Sequence, residues 1–144
     1  MTSETVFKEA LITVLGQALE AAGYTLEENP VQWSAGYFRF RRRMHDDLML
    51  QIVFQVLTHP DYPSRFRVTL RRAHMQGKTP ESAPAEITLA RLLWDVFGVH
   101  VLPEADYWWE YRGSRTLGDA LIESGKLLIG YGLPWLDGTL TPDS

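Results

Sequence analysis

Three runs of alternating residues constrain what this chain can fold into. Residues 37–43 read YFRFRRR, 48–57 read LMLQIVFQVL, and 65–72 read RFRVTLRR. In the first, Phe38 and Phe40 alternate with Arg39 and Arg41. In the second, Leu48, Leu50, Ile52, Phe54 and Val56 share one side; Met49, Gln51, Val53, Gln55 and Leu57 share the other. In the third, Phe66, Val68 and Leu70 alternate with Arg65, Arg67, Thr69 and Arg71. Successive strand side chains point to opposite faces, so each run can bury one side and wet the other. The links are short: His45-Asp46-Asp47 supplies one turn, and THPDYPS, with two prolines, ends the middle run. This pattern predicts an antiparallel meander.

Outside the meander the period changes. Over residues 4–22, Phe7, Leu11, Val14, Ala18 and Ala22 recur at helical spacing, with Ser3 as the cap, Glu4 in the first turn and Gly23 after the last. Glu28-Asn29-Pro30 then breaks the chain. Ser82 and Pro84 are placed to start a second helix, running through ITLARLLWDVF to Gly98 and apolar nearly all round. VHV at 99–101 and YWWEY at 107–111 read as strands. Thr116 with Asp119 resembles a capping box, opening a last helix that carries Leu117, Leu121, Leu127, Leu128 and Tyr131. Gly132 suits its cap and Pro134 forbids its continuation. Leu133, Trp135 and Leu136 then make an apolar hook that folds back over an open edge of the core; the alternative is an exposed hook for a second subunit. The expectation is a single globular domain over residues 1–144, of α+β class. An antiparallel sheet of about four or five strands would carry three helices packed mainly on one face.

Composition narrows the function classes. The chain has 144 residues, 45% hydrophobic and 22% charged, ordinary for a globular domain. It has no cysteine, which removes disulfides, thiolate nucleophiles and cysteine-held metals. Lys8 and Glu9 fall where a signal peptide needs apolar residues. The longest uncharged apolar stretch, residues 127–136, is too short for a span of ~20 residues. The expectation is a cytoplasmic protein with no membrane segment.

The order of features resembles a family of small bacterial proteins, the domain-of-unknown-function family numbered 4304. The resemblance covers roughly residues 8–136, and its most specific parts are Phe54-Gln55, Trp108-Trp109-Glu110 and Leu133-Pro134-Trp135. It implies a shared fold and carries no activity with it.

Catalytic and metal motifs are sparse. No phosphate-binding glycine loop or nucleophile elbow is present. His45, His59, His74 and His100 include no i, i+4 pair that would set two ligands on one helical face. His100, in an apolar run, reads as a hydrogen-bonded core residue. Glu104, Asp106 and Glu110 read as ordinary surface carboxylates. No cofactor and no metal are expected.

Charge is the feature that stands out. Residues 39–72 hold eight arginines against three acids, a local +5 in a chain whose net charge is −4. On the expected strands, Arg39, Arg41, Gln51, Gln55, Arg65, Arg67 and Arg71 share one face. Glu110 should avoid the core because an unpaired buried charge is costly, and this puts Trp108 on the same side. Arginine, glutamine and tryptophan together suit an acidic partner. Against this stands a merely wet sheet face, its arginines solvated or paired with the chain's own acids near 104–110. Nucleic acid is disfavoured by the negative total and the short stripe. The function read from the residues is a non-catalytic interaction module binding a protein or other acidic partner. The alternatives are a small hydrolase-like enzyme using Glu110, a histidine and the sheet arginines, and a structural homodimer.

Overall fold

The computed structural model describes residues 2–45, 47–74 and 85–142. Its strands, in chain order, are β1 (Thr25–Leu26), β2 (Tyr37–Arg43), β3 (Leu48–Leu57), β4 (Ser64–His74), β5 (Ala85–Thr88) and β6 (Trp109–Tyr111). All pair antiparallel in one sheet, in the order β1-β2-β3-β4-β5, with β6 also on β4. β5 pairs with Thr69–Arg72 and β6 with Ser64–Phe66, end to end along the edge of β4 away from β3. The expected α+β architecture is present, with six strands because β1 and β5 join the edges.

The register follows the alternation. Phe38 lies opposite Phe54, which lies opposite Val68; Phe40, Ile52 and Leu70 make the next row. All six are buried and face the helices. Burying a side chain of this size contributes about 1.5–3 kcal/mol, so a one-residue slip that flipped each row outward would be prohibitive.

Helix α1 runs from Ser3–Leu11 through a π-helical turn, Ile12–Gly16, to Gln17–Ala21. Its cap is Thr2 rather than Ser3: the Thr2 hydroxyl accepts from the Thr5 amide at 3.1 Å. Phe7, Leu11, Leu15 and Leu19 form its buried stripe. The Phe7 ring sits 5.4 Å from both Phe38 and Phe66, which locks the helix onto the sheet. The chain break at Asn29-Pro30 opens a one-turn helix, α2 (Pro30–Ser34). Asn29 Oδ1 accepts from the Gln32 amide, and proline takes the first-turn position where no donor is needed.

The second long helix starts later than the pattern predicts. Residues 85–88 are strand β5, and helix α3 spans Leu89–Arg91 and a π turn, Leu92–Val96, with Thr88 as its cap. Ser82 and Pro84, the expected cap and first turn, lie outside the described residues, as does Asp46. Leu89, Ala90, Leu92 and Leu93 are buried, while Arg91 and Asp95 are exposed. Residues 99–101 form no strand, and His100 is not in the core. It is exposed and stacks on Trp94 at 4.1 Å. Arg91 ties this loop down with two hydrogen bonds to Asp106, at 3.0 and 2.8 Å.

Helix α4 begins at Ser114, two residues before the expected cap. Thr116 acts from inside the first turn: its hydroxyl accepts from the Arg112 and Gly113 amides at 2.9 and 3.0 Å. The helix runs Ser114–Leu127, passes a π turn at Leu128–Gly132, and continues as Leu133–Asp137. Gly132 is therefore not its cap and Pro134 does not end it. The π turn stands just before the proline, so the missing amide falls where the regular ladder is already interrupted. Gly138, at φ 83°, is the left-handed residue that ends the helix.

Candidate functional site: the open face of the sheet

The face of the sheet away from the helices carries the residues singled out by the alternation. Row by row across the sheet, Arg41 lies beside Gln51 and Arg71; Arg39 beside Val53 and Thr69; Gln55 beside Arg67; and Leu57 beside Arg65 and Glu110. Antiparallel partners share a face, so the register brings the seven strand residues together. Trp108 joins them from just before β6. The Arg65 and Arg67 guanidinium carbons lie 4.8 and 4.7 Å from its ring centroid, a doubled cation–π contact. Its neighbour Trp109 points inward, is buried, and stacks on Phe66 at 5.7 Å.

Neutral side chains hold two of these arginines. Arg67 Nε donates to Gln55 Oε1 at 3.0 Å, and Gln55 Nε2 donates to the Tyr37 hydroxyl at 3.1 Å. Arg71 donates to Gln51 Oε1 at 3.0 Å. A carboxylate in either place would cancel the charge; an amide orients the guanidinium and leaves it positive. Among the described residues, neither Arg67 nor Arg71 makes an ion pair.

Arg39 and Arg41 do have an acidic neighbour, and it is not one of residues 104–110. Glu27 sits 3.7 Å from Arg39 and 3.6 Å from Arg41. Such long, partly exposed pairs contribute at most about 1 kcal/mol. Glu27 was not legible as a site residue because β1 has only two residues and no alternation of its own. The Glu27 amide donates to the Arg39 carbonyl at 2.8 Å, which brings its side chain alongside. Glu86 was also missed: it lies opposite Arg71 on β5, where the pattern read helix. Arg42 and Arg72 take no part in this face. Both lie opposite buried Leu50, on the helix side.

At the centre of the face is a cavity of about 270 Å³. Val53 and Thr69, the short side chains of the middle row, lie at its base. Arg39, Arg67 and Arg71 line it together with Tyr37, Gln51, Gln55 and Glu86. Long side chains around two short ones produce the hollow.

Glu110 is exposed and opposite Arg65, and among the described residues it has no hydrogen bond to a histidine. His59 Nδ1 is taken up by the Asp61 and Tyr62 amides of its own turn. No three His, Asp or Glu side chains among the described residues come together to hold a metal. The groups shifted by burial are Tyr24, Tyr107 and Tyr111, all pushed up, and none lines the cavity. The C-terminal residues Leu133, Trp135 and Leu136 lie on the last turn of α4. Leu136 is fully buried, and the other two pack half-buried against the core. Among the described residues no helix is long and apolar enough to cross a membrane.

No protein-family model, curated protein or solved structure matches this chain.

Proposed function

We propose that this chain is a non-catalytic interaction module whose open sheet face binds an acidic segment of a protein partner. One observation carries the reading: Arg67 and Arg71 are oriented by glutamine amides, and among the described residues neither makes an ion pair. Guanidinium groups fixed this way present their remaining donors to a carboxylate with less entropy left to lose on binding. Arg65 and Trp108 extend the surface beside them, and Val53 and Leu57 add apolar contact.

Membership of family 4304 and a cytoplasmic location belong to the same proposal. The residues that carry the family resemblance divide between core and face. Phe54 and Trp109 are buried, while Gln55 and Trp108 lie on the arginine side. The absence of cysteine fits a reducing compartment.

The test compares the native chain with the double variant Arg41→Glu/Arg67→Glu. A glutamate-rich peptide is titrated against each, and partner capture from nuclease-treated lysate runs alongside. Binding that weakens with added salt and disappears in the variant, with an unchanged melting temperature, supports the module. Equal binding by the variant sinks it, and capture that requires intact nucleic acid moves the assignment to that class.

A further inference from the structure

We propose that the hollow at the centre of the arginine face is a preformed pocket for one small dianionic oxyanion group, a phosphoryl group or a closely spaced pair of carboxylates. The inference rests on the reading of this face as a surface for acidic partners and says what that surface recognises at its centre.

Charge sets the valence of the ligand. Three guanidinium groups and one carboxylate, Glu86, line the hollow; with Glu27 and Arg41, which pair behind Arg39, four guanidinium groups stand against two carboxylates, a net +2. A dianion matches this, and a neutral ligand would leave it uncompensated. Size sets the rest. A volume of about 270 Å³ falls just short of the ≈ 300–1,000 Å³ typical of pockets for drug-sized ligands. One anionic group on a short side chain fits within it.

Donor geometry supports the same ligand. Arg67 and Arg71 stand four residues apart on one strand, about 13 Å between Cα atoms, with Thr69 between them. Each spends one guanidinium N–H on a glutamine. A guanidinium has five, so most of the donors are left for a ligand. Arg39 faces them across the middle row and is the least satisfied of the three. Its ion pair with Glu27 is 3.7 Å long, and its Nε is buried without a hydrogen-bond partner. Leaving such a donor unmet is costly. A side-chain rotation toward an oxyanion in the hollow gives Arg39 the acceptor it lacks. The Thr69 hydroxyl at the base supplies one more donor. A flat patch of arginines would attract anions without selecting their size; the short Val53 and Thr69 side chains provide that selection.

The experiment uses the full chain and two probes, inorganic phosphate and succinate, titrated calorimetrically at low ionic strength against a chloride control. Saturable one-site binding of either probe is expected, and the better probe identifies the group. Val53→Phe keeps every arginine and fills the hollow from its base. It should weaken binding by about tenfold or more. Arg67→Gln/Arg71→Gln should do the same, and Arg115→Gln, exposed on α4 and outside the arginine face, should bind as the native chain does. Melting curves of each variant establish that the fold is kept. Absence of saturable binding by both probes overturns the pocket. So does undiminished binding by Val53→Phe; if the arginine double variant still loses the glutamate-rich peptide in that case, the charged face stands and only the pocket falls. Peptide binding that survives all the variants removes the face as well.

Discussion

Gln55 bridges two strands at once: its Oε1 accepts from Arg67 Nε at 3.0 Å while its Nε2 donates to the Tyr37 hydroxyl at 3.1 Å. The amide has both ends engaged, so its orientation is fixed, and it fixes Arg67 in turn. Gln55→Ala removes the acceptor and frees the guanidinium to sample other rotamers. Affinity for a glutamate-rich peptide should fall about 3- to 10-fold, because a net hydrogen bond is worth ~1 kcal/mol. Gln55→Glu should weaken binding further, since a carboxylate beside Arg67 cancels the charge the partner reads. Its melting temperature should hold or rise. Titration of both variants separates orientation from charge; a Gln55→Glu variant that binds more tightly contradicts the arrangement.

The apolar tail is tested by stability. Leu136 is fully buried near the end of α4. Leu136→Ala should cost about 2–5 kcal/mol, seen as a lower urea midpoint at unchanged slope. Trp135→Ala, at a half-buried position, should cost less. If the tail served a second subunit instead, Leu136→Ala would leave the midpoint alone and change the concentration dependence of the solution mass.

How much of this was legible depends on element length. The three central strands were readable because seven or more alternating residues have one solution that buries every phenylalanine. From that alternation Gln51, Gln55 and the arginines could be placed on one face. The short elements were not readable, since β1 and β5 owe their conformation to pairing with β2 and β4 rather than to local preference. Glu27 and Glu86, which the site acquires through those edges, were lost with them. Ser82 and Pro84 resemble a helix start, so the pattern predicts helix through Ala85–Thr88, which is strand. Thr88 carries the cap signal itself, its hydroxyl accepting from the Arg91 amide at 3.2 Å. At the other end, the π turn before Pro134 let the helix run on where a regular ladder would have stopped.

Among the described glycines, Gly36 is the one where an added Cβ meets backbone at the shortest distance. Its φ is +89°, its carbonyl accepts from the Val56 amide at 2.8 Å, and a Cβ there would run into the Val56 carbonyl oxygen. Backbone cannot move aside as a side-chain tip can. Gly36→Ala should cost about 3 kcal/mol and lower the melting temperature by about 6–12 °C. Gly118→Ala gives the contrast, because it lies inside α4 with nothing within 4 Å of the added carbon. It should raise stability by about 0.5–1 kcal/mol. A calorimetric scan in which both substitutions act alike would refute this assignment.

Alkaline unfolding should depend on Tyr24. The side chain is 1% exposed, and its pKa is pushed up to about 12, chiefly by burial. The nearby Arg42 guanidinium opposes the rise, and Asp137 adds to it. Arg42 approaches the buried hydroxyl closely enough to weaken the rise, but its alignment falls short of a regular hydrogen bond, so the hydroxyl stays without a well-formed partner. The folded chain therefore holds this proton more tightly than the unfolded chain, where a tyrosine loses it near pH 10. The associated stability is fully present below about pH 10 and is lost as pH rises through 12, a loss on the order of 2–3 kcal/mol. Tyr107 and Tyr111 are shifted in the same direction and add to the same limb. Tyr24→Phe removes the titrating group along with an unpaired buried hydroxyl. Its stability at pH 7 should match or exceed that of the native chain, and its decline between pH 10 and 12 should be shallower. Urea titrations across that range measure both; a variant that loses stability as steeply as the native chain would show that Tyr24 is not the group responsible.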